Sequence, residues 1–504
     1  MGPGPLLICV PIALRLSQNG IIMGYSTVKT FLVALAAVGL LGLTACDQTI
    51  DKQPEQSIPI DQIFQDVSGA QSALTGAYDG LQSDGVYGGF PVMAGDFTAD
   101  VASFSGSFTT WQQAQAFNVS STHGPTENIW QDHYNVINRV NLIIDNAPNV
   151  EGITQDEVDN LVGQAKFIRA LAYFNLVRWF AQPYEPGVTN DQPGVILQTT
   201  GVASTDPEFN KPRATVEEIY TQIRNDLTDA ISRLEVVGAR KRAGQGVANA
   251  LLAKVSLYQG LWDEAADRAG DVIGQDPFTL SSSITEPYRN ELSTEIIFEV
   301  SFSAIDNSGT NAFMSSFYLP GDLGGRGDLN PLNQFASSAE SGDLRADPAA
   351  AGPVESGEIN GNGLLYSFDG LLWTNKWTQD SFGDDMPVLR VAEMHLIRAE
   401  GLARGSGTAA DAREDVNAIR TRAGLDSVST SLSGDALIDE IIRQRRYELA
   451  FEGDRRHDLQ RLGRPITSSS GTVQPGDAQR ILPIPNRAIQ VNDALDQSSQ
   501  NPGY

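Results

Sequence analysis

The stretch 164–183 constrains the fold more than any other part of the sequence. Apolar side chains occupy nearly every face of the helix that it predicts. A helix with this pattern is buried on several sides, so other helices must surround it. Two arginines, Arg169 and Arg178, lie within it, and a buried guanidinium needs a carboxylate partner. We expect those partners among the acidic residues of a second charged stretch, 441–463.

The stretch 441–463 predicts a helix on which arginines alternate with acidic residues at i,i+3 and i,i+4 spacing. Arginine offers a planar fork to a carboxylate, so we expect three pairs: Arg445–Glu448, Glu452–Arg455 and Glu452–Arg456. An ordinary salt-bridged surface helix and a structural ion network at the base of a helical scaffold both fit. We favour the network, which has no catalytic role and comprises Arg169, Arg178, Arg445, Glu448, Glu452 and Arg456.

Composition excludes some classes of function. The chain has 504 residues, 41% of them hydrophobic, which suits two or three folded domains or one extended helical array. Its formal net charge of −27 argues against nucleic-acid binding, which needs a basic footprint. The histidines are scattered and both cysteines precede residue 47, so we expect no metal site. The sequence also lacks a P-loop and a GxSxG elbow.

Residues 1–45 are typical of a secretory signal, with Met23 as the expected initiator. The apolar run 30–43 is too short to span a bilayer comfortably. The signal ends in Leu-Thr-Ala-Cys, which resembles a bacterial lipobox and implies cleavage before Cys46 and lipidation of its thiol. A plain secretory signal with a chance cysteine is the alternative. Residues 46–60 are polar, contain proline and predict a tether.

Helical periodicity dominates an N-terminal part, 61–277, and a C-terminal part with a closing tail, 387–504. The clearest unit is a helical hairpin over 248–274 that turns at Gly260. Its pattern resembles a tetratricopeptide repeat, a helix pair that stacks on like pairs. A second candidate pair and the helix after it cover 387–401, 409–423 and 435–453. We therefore predict a mostly α fold, built as an imperfect superhelix of such pairs.

Two regions interrupt this helical pattern. The loop 83–122 is rich in Gly, Ser, Phe and Thr, and the insertion 278–386 contains Gly-rich loops. Within the insertion, 295–302 predicts a short strand. Long irregular insertions are more often functional than filler, so we expect a ligand to bind in these regions.

Several stretches together resemble one known family. The helix at 165–180 is similar to the pattern R-A-x-x-Y-F-x-L-V-R, and 441–463 looks like a C-terminal family signature. Further similar stretches are 387–394, 417–424, 481–487 and 500–504. The family is SusD/RagB, the outer-membrane nutrient-binding lipoproteins of Bacteroidetes. The resemblance covers almost all of the chain after Cys46 and is weakest across 83–122 and 300–380.

The resemblance implies both a fold and a role. The fold would be a SusD-like superhelix of tetratricopeptide-like pairs with a loop-rich insertion that holds a few short strands. The role would be non-enzymatic binding of a nutrient, a glycan or sometimes a peptide, at the outer face of the outer membrane. Family members form a hinged lid on a SusC-like TonB-dependent transporter. Import energy comes through that partner, so no cofactor is expected.

Sugars present C–H faces that stack on aromatic rings, while nearby polar groups bind their hydroxyls. We therefore predict six ring-bearing ligand contacts in the irregular regions: Tyr87, Phe90, Trp111, Tyr318, Trp373 and Trp377. Local core packing is the alternative for each ring.

Two other functions remain open at this stage. A lipid-anchored helical-repeat scaffold would bind protein through a large apolar groove. A surface glycoside hydrolase would need a pair of carboxylates flanking the scissile bond, and the sequence does not single out such a pair.

Overall fold

The computed structural model describes residues 60–202, 210–236, 240–289, 293–352, 354–355, 358–359 and 361–504. The predicted signal, the lipidation site Cys46 and the tether up to Pro59 lie outside these residues. Helices dominate the described chain, and its short strands form two-stranded pairs. The prediction of a mostly α fold is confirmed.

The helices follow one another along the whole described chain. In order they are α1 (Ile60–Ile63), α2 (Val67–Asp79), α3 (Phe90–Phe97), α4 (Thr109–Gln115), α5 (Gly124–Asn146), α6 (Gln155–Phe180), α7 (Val216–Arg233), α8 (Gln245–Gln259), α9 (Trp262–Ile273), α10 (Met314–Tyr318), α11 (Asn333–Ser337), α12 (Val391–Arg404), α13 (Ala409–Arg422), α14 (Gly434–Glu448), α15 (Arg455–Arg461) and α16 (Asn486–Val491).

Half of the described strands lie wholly within the insertion. In order, the strands are β1 (Ala102–Phe104), β2 (Pro193–Ile196), β3 (Arg213–Thr215), β4 (Ile296–Val300), β5 (Leu329–Pro331), β6 (Val354–Glu355), β7 (Glu358–Ile359), β8 (Leu365–Phe368), β9 (Leu371–Thr374), β10 (Met386–Arg390), β11 (Ile466–Thr467) and β12 (Thr472–Val473). Every pair is antiparallel: β1 with β5, β2 with β3, β4 with β10, β6 with β7, β8 with β9 and β11 with β12.

Helix α6 is the centre of the N-terminal part, as its apolar pattern predicts. A capping box at Thr154 and Glu157 starts it. From Leu161 to Phe180 every residue is buried except Lys166 and Arg178, which are half-buried. Helices α2, α5, α7 and α8 pack around it, which explains why one helix can be apolar on several faces.

The stacked helix pairs follow the chain. Helix α8 packs on α9, α9 on α12, α12 on α13, and both α12 and α13 on α14. The predicted hairpin turn is correct, because Gly260 ends α8 in the left-handed conformation with φ of 70°. Gly401 allows α12 to approach α9 closely, since an added Cβ would lie 2.5 Å from the carbonyl oxygen of Trp262.

Three boundary predictions need correction. The region 83–122 is only partly a loop, since it contains α3, β1 and α4. The second predicted pair does not begin at Pro387, because Met386–Arg390 is strand β10 paired with β4. The stretch 441–463 is not one helix: α14 ends at Glu448 and α15 begins at Arg455.

In the part of the chain that the structure describes, no helix is both long enough and apolar enough to cross a membrane. The same described residues contain no cluster of three or more His, Cys, Asp or Glu side chains arranged to hold a metal ion.

Candidate binding surface

The two irregular regions meet on one surface of the molecule. Strand β1 pairs with β5, so that Phe104 lies opposite Leu329. Strand β5 lies beside β9, and the Asn330 side-chain amide donates a 3.2 Å hydrogen bond to the carbonyl of Leu372. We call the surface formed by residues 104–112, 321–330 and 368–380 the loop face. It contains parts of both regions in which the sequence predicts a ligand.

Packed aromatic rings form the floor of the loop face. Trp111 stacks on Phe317, with ring centroids 4.4 Å apart and planes inclined by 12°. Phe97 stacks on Trp111 at 5.5 Å, and Phe104 packs against it at 5.1 Å. Offset and tilted ring pairs at these distances contribute stability beyond the area they bury. The floor is therefore rigid, and Phe108 packs at its edge, half-buried.

Arg326 lies across this edge. Its guanidinium carbon is 4.6 Å from the Phe108 ring centroid and 5.3 Å from that of Phe317. Its Nε donates to Asp328 Oδ2 and its Nη1 to Asn311 Oδ1, both at 2.8 Å. Its Nη2 makes no hydrogen bond to any described residue, and the side chain is 24% exposed. The loop face thus presents a fixed donor and a carboxylate acceptor next to a ring.

Gly327 and Trp373 hold the Arg326 turn in place. Gly327 has φ of +70°, and an added Cβ would lie 3.0 Å from the Trp373 ring. The Trp373 indole N–H donates to the Phe368 carbonyl at 3.0 Å, and its ring is only 4% exposed. The buried Trp373 ring therefore packs against the turn and holds it in place.

The six predicted ligand contacts are all interior side chains. Their exposed fractions are 8% for Tyr87, 7% for Phe90, 5% for Trp111, 1% for Tyr318, 4% for Trp373 and 0% for Trp377. Stacking on a sugar needs an exposed ring face, which these rings do not offer, so the structure contradicts direct stacking by them. The sequence identifies the aromatic residues but gives no measure of their burial, and large aromatic side chains also dominate protein cores.

Sequence reasoning missed the polar residues of the loop face, including Arg326, Asp328 and Asn311. One signal was present, because Arg326 and Asp328 flank a glycine within one of the Gly-rich loops of the insertion. Opposite charges two residues apart across a left-handed glycine suit a turn that pairs them. Asn311 and Phe108 carried no comparable local signal, since they reach the turn only through the tertiary fold.

A separate cleft of about 310 Å³ opens beside β4. The half-buried Tyr78 ring and Gln82 form one wall, and β4 forms the other. The Arg242 guanidinium covers the Tyr78 ring at 4.2 Å, and Lys241 pairs with Asp385 at 2.7 Å. The cleft is concave, and its Tyr78 ring is covered by an arginine in the same way as the Phe108 ring of the loop face.

A group of buried charges connects the insertion to the C-terminal part, and we call it the central ion cluster. It contains four acids, Glu295, Asp343, Glu448 and Glu452, and four bases, Arg345, Lys376, Arg390 and Arg422. Arg390 is its hub: it reaches Glu295 at 2.6 Å, Glu448 at 3.2 Å and Glu452 at 2.8 Å. The equal number of acids and bases satisfies the requirement that buried charges be paired.

The central ion cluster keeps its carboxylates ionised. Burial opposes the ionisation of Glu448, but Arg422 and Arg390 hold its pKa well below the usual range. Burial likewise opposes ionisation of Glu452, and Arg390 and Lys376 lower its pKa. Charge pairing outweighs desolvation at both carboxylates.

A second group of buried charges, which we call the Asp454 cluster, joins α6 to α15. Asp454 pairs with Arg178 at 3.2 Å and with Lys254 at 2.8 Å. Lys254 also contacts Glu393 at 3.1 Å, and Glu393 contacts Arg445 at 3.4 Å. The Arg178–Asp454 pair joins the apolar helix α6 to the closing stretch, as the sequence predicts for Arg178.

The other predicted partners need correction. Arg169 forms a bidentate pair with Asp226 of α7, at 2.8 and 2.6 Å, instead of a pair with the closing stretch. Arg445 binds Asp458 at 2.9 Å, and Glu448 and Glu452 belong to the central ion cluster. Arg456 donates to Thr98 Oγ1 and to the carbonyls of Gln479 and Arg480 instead of to a carboxylate.

The break between α14 and α15 explains these corrections. Phe451 has φ of 66° and Gly453 has φ of 86°, so helical i,i+4 spacing does not continue past Glu448. Buried Asp96 accepts hydrogen bonds at 3.2 Å from the backbone N–H groups of Phe451 and Gly453. Asp96 also accepts a 3.3 Å hydrogen bond from the Tyr318 hydroxyl, which links α3, the insertion and the closing stretch.

The fold and site define a class of protein: a helical-repeat scaffold that carries a surface built from irregular loops. A family model described as "Starch-binding associating with outer membrane" matches residues 50–257, and a model of the SusD family matches 372–504. The two matches leave 258–371, most of the insertion, between them. The chain belongs to the SusD/RagB family.

Individual relatives agree with this assignment over most of the chain. "SusD-like protein P25" of Formosa agariphila is 23% identical over 91% of this chain and 97% of its own length. The structure of a putative sugar binding protein from Bacteroides vulgatus covers 89% of this chain and 100% of its own, with 26% identity and a TM-score of 0.75. A laminarin binding SusD-like protein shares the fold, with 24% identity, 88% and 100% coverage and a TM-score of 0.68.

Proposed function

We propose that this chain binds a glycan at the cell surface through its loop face. The observation that carries the proposal is the fixed Arg326–Asp328 pair beside the half-buried Phe108. A sugar hydroxyl both donates and accepts hydrogen bonds, and a guanidinium next to a carboxylate offers both functions. The starch-binding description of the matching family model supports the choice of ligand.

Membrane attachment and transport complete the proposal. Cys46 would carry the lipid anchor, since several acyl chains on one residue give stable attachment. The chain would lie on the exterior of the outer membrane as lid and substrate receptor of a SusC-like TonB-dependent transporter. The ligand would pass on without turnover, and relatives named as starch-binding and laminarin binding proteins support binding without catalysis.

Calorimetric titration of the purified protein with a panel of oligosaccharides tests the binding surface. Phe108→Ala and Arg326→Gln should each weaken binding about tenfold, because one removes the ring edge and the other the charged donor. Arg404→Gln is the matched control, since Arg404 also covers a partly buried ring, that of Trp262 at 5.2 Å, on helices away from the loop face. Unchanged affinity in both loop-face variants would refute the assignment.

Labelling in the native host tests the anchor and the partner. Cys46→Ser should abolish incorporation of radiolabelled palmitate and release the protein from the outer membrane. The wild-type chain should co-purify with a TonB-dependent transporter from detergent-solubilised outer membranes. Retained lipid label in the Cys46→Ser variant would show that the anchor lies elsewhere, and purification without any transporter would argue against the lid role.

A further inference from the structure

We propose that the glycan bound at the loop face is uncharged, so that the protein selects neutral polysaccharides against acidic ones such as uronate or sulfate polymers. This inference rests on the proposed function, because it names the substrate class of the same surface. It is based on the charges of the loop face and on the state of its one arginine.

Carboxylates surround the exposed part of the loop face. Asp322, Asp369 and Asp380 are exposed, and Asp328 is half-buried. Asp380 borders the Arg326 turn, since an added Cβ on Gly324 would lie 3.0 Å from the Cβ of Asp380. Asp369 directly follows Phe368, whose carbonyl holds the Trp373 ring under the same turn.

Arg326 is the one partly exposed cation of this surface, since Lys376 is buried and paired with Glu452, and it is already compensated. Arg326 pairs with Asp328 at 2.8 Å, so its charge is neutralised before a ligand arrives. The remaining three aspartates leave a local excess of negative charge, within a chain whose formal net charge is −27. A polymer with a negative charge on each repeat would be repelled over distances up to a Debye length, about 10 Å at 0.1 M salt.

The hydrogen-bonding groups also suit an uncharged ligand. Arg326 Nη2 is a donor without a described partner, and Asp328 is an acceptor bonded to Nε of the same arginine. A vicinal diol can accept from the first and donate to the second. An anionic group that approached Arg326 would instead have to compete with Asp328 for the guanidinium.

The cations of the 310 Å³ cleft do not reverse this conclusion. Lys241 is paired with Asp385, and Asp79 and Asp306 lie on the cleft walls near Arg242. The cleft borders β4, and none of the described residues that line it belongs to the loop face. Arg242 therefore provides a control position for the test.

Paired ligands that differ only in charge test the inference. Several neutral glucans and their carboxymethyl derivatives are titrated at low salt by calorimetry or in affinity gels. Any neutral glucan that binds should have an affinity about tenfold higher than that of its carboxymethyl derivative. Raising the salt to about 1 M should reduce this difference in affinity to about twofold. Equal or tighter binding of the derivatives would overturn the inference but leave glycan binding intact. Binding of no glucan and of no other member of the oligosaccharide panel, neutral or charged, would overturn the proposed function itself.

A variant without the three exposed aspartates tests whether they cause the preference for neutral over acidic glucans. Combining D322N, D369N and D380N should raise affinity for the carboxymethyl glucan towards that for the neutral one, and should change neutral binding by less than about twofold. All three positions are exposed, so the variant should fold, and an unchanged thermal midpoint verifies this. Arg242→Gln should leave the discrimination as it is. An unchanged preference in the triple variant, or a lost preference in Arg242→Gln, would contradict the assignment.

Discussion

The central ion cluster and the loop face use the same kinds of side chain in opposite ways. In the cluster, the Arg390 side chain is 2% exposed and is shared among three carboxylates. At the loop face, the Arg326 side chain is 24% exposed, and among the described residues it has one carboxylate partner and no hydrogen bond from Nη2. The first arginine ties segments of the chain together, whereas the second remains able to bind something else.

The comparison shows how a helical scaffold can carry an irregular surface. The cluster joins the residue before β4 to β10, α13 and α14, so it fixes the base of the insertion. Because its charges are mutually satisfied, they cannot be recruited by a ligand without a large penalty. We therefore expect the ligand-binding positions among the partly exposed polar groups of the loop face. The following four predictions test this division from the largest expected effect to the smallest.

Removing the hub of the cluster should destabilise the fold most. Arg390→Met leaves Glu295, Glu448 and Glu452 without their shared cation, and breaking a buried pair on one side costs about 3–5 kcal/mol. Urea unfolding followed by circular dichroism measures this loss. A loss below about 1 kcal/mol would show that the cluster does not hold the base of the insertion.

Asp384 sharpens the comparison, because it is a buried acid of the insertion held by backbone N–H groups instead of a cation. Burial raises its pKa from an ordinary 3.8 to about 6. The folded state therefore binds a proton that the unfolded state releases, and its stability should fall by about 3 kcal/mol as pH rises from about 3 to 7, most steeply between pH 4 and 6.

Asp384→Asn removes this titration, so the variant should show a flatter stability profile between pH 4 and 6. The matched control is Asp380→Asn, which makes the same change at an exposed position of the same loop. Identical profiles for the wild type and Asp384→Asn would refute the raised pKa.

The stability that Asp454 contributes depends on pH in the opposite direction. Burial opposes its ionisation, but Lys254 and Arg178 lower its pKa from 3.8 to about 2. Its contribution of about 2 kcal/mol is present above pH 4 and should be lost as the pH falls towards 2. Acid unfolding of the wild type and of Asp454→Asn measures this difference, which should vanish at pH 2. A difference that persists there would mean that Asp454 acts through packing alone.

Changing the loop-face arginine should affect stability least. Arg326→Met removes a partly exposed pair with Asp328, and such pairs contribute about 0–1 kcal/mol. Urea unfolding should therefore detect little change, in contrast to Arg390→Met, which makes the same substitution in the cluster. A loss comparable to that of Arg390→Met would remove the distinction between the two regions.

Sequence reasoning predicted the scaffold better than the surface. The burial of α6, the turn at Gly260 and the contact between Arg178 and the closing stretch all follow from local pattern and spacing. The ion pairs of Glu448 and Glu452 do not follow from local pattern. The left-handed Phe451 ends the helical spacing, and its stabilising partner, Asp96, lies 355 residues away. The loop face depends on such distant contacts throughout, which no local pattern encodes.

A structure of the complex with a neutral oligosaccharide tests the account most directly. We predict the sugar on the loop face, with a hydroxyl oxygen within hydrogen-bond distance of Arg326 Nη2, another near Asp328 and a C–H face against Phe108. A sugar bound in the cleft between Tyr78 and β4, with the loop face empty, would contradict the account.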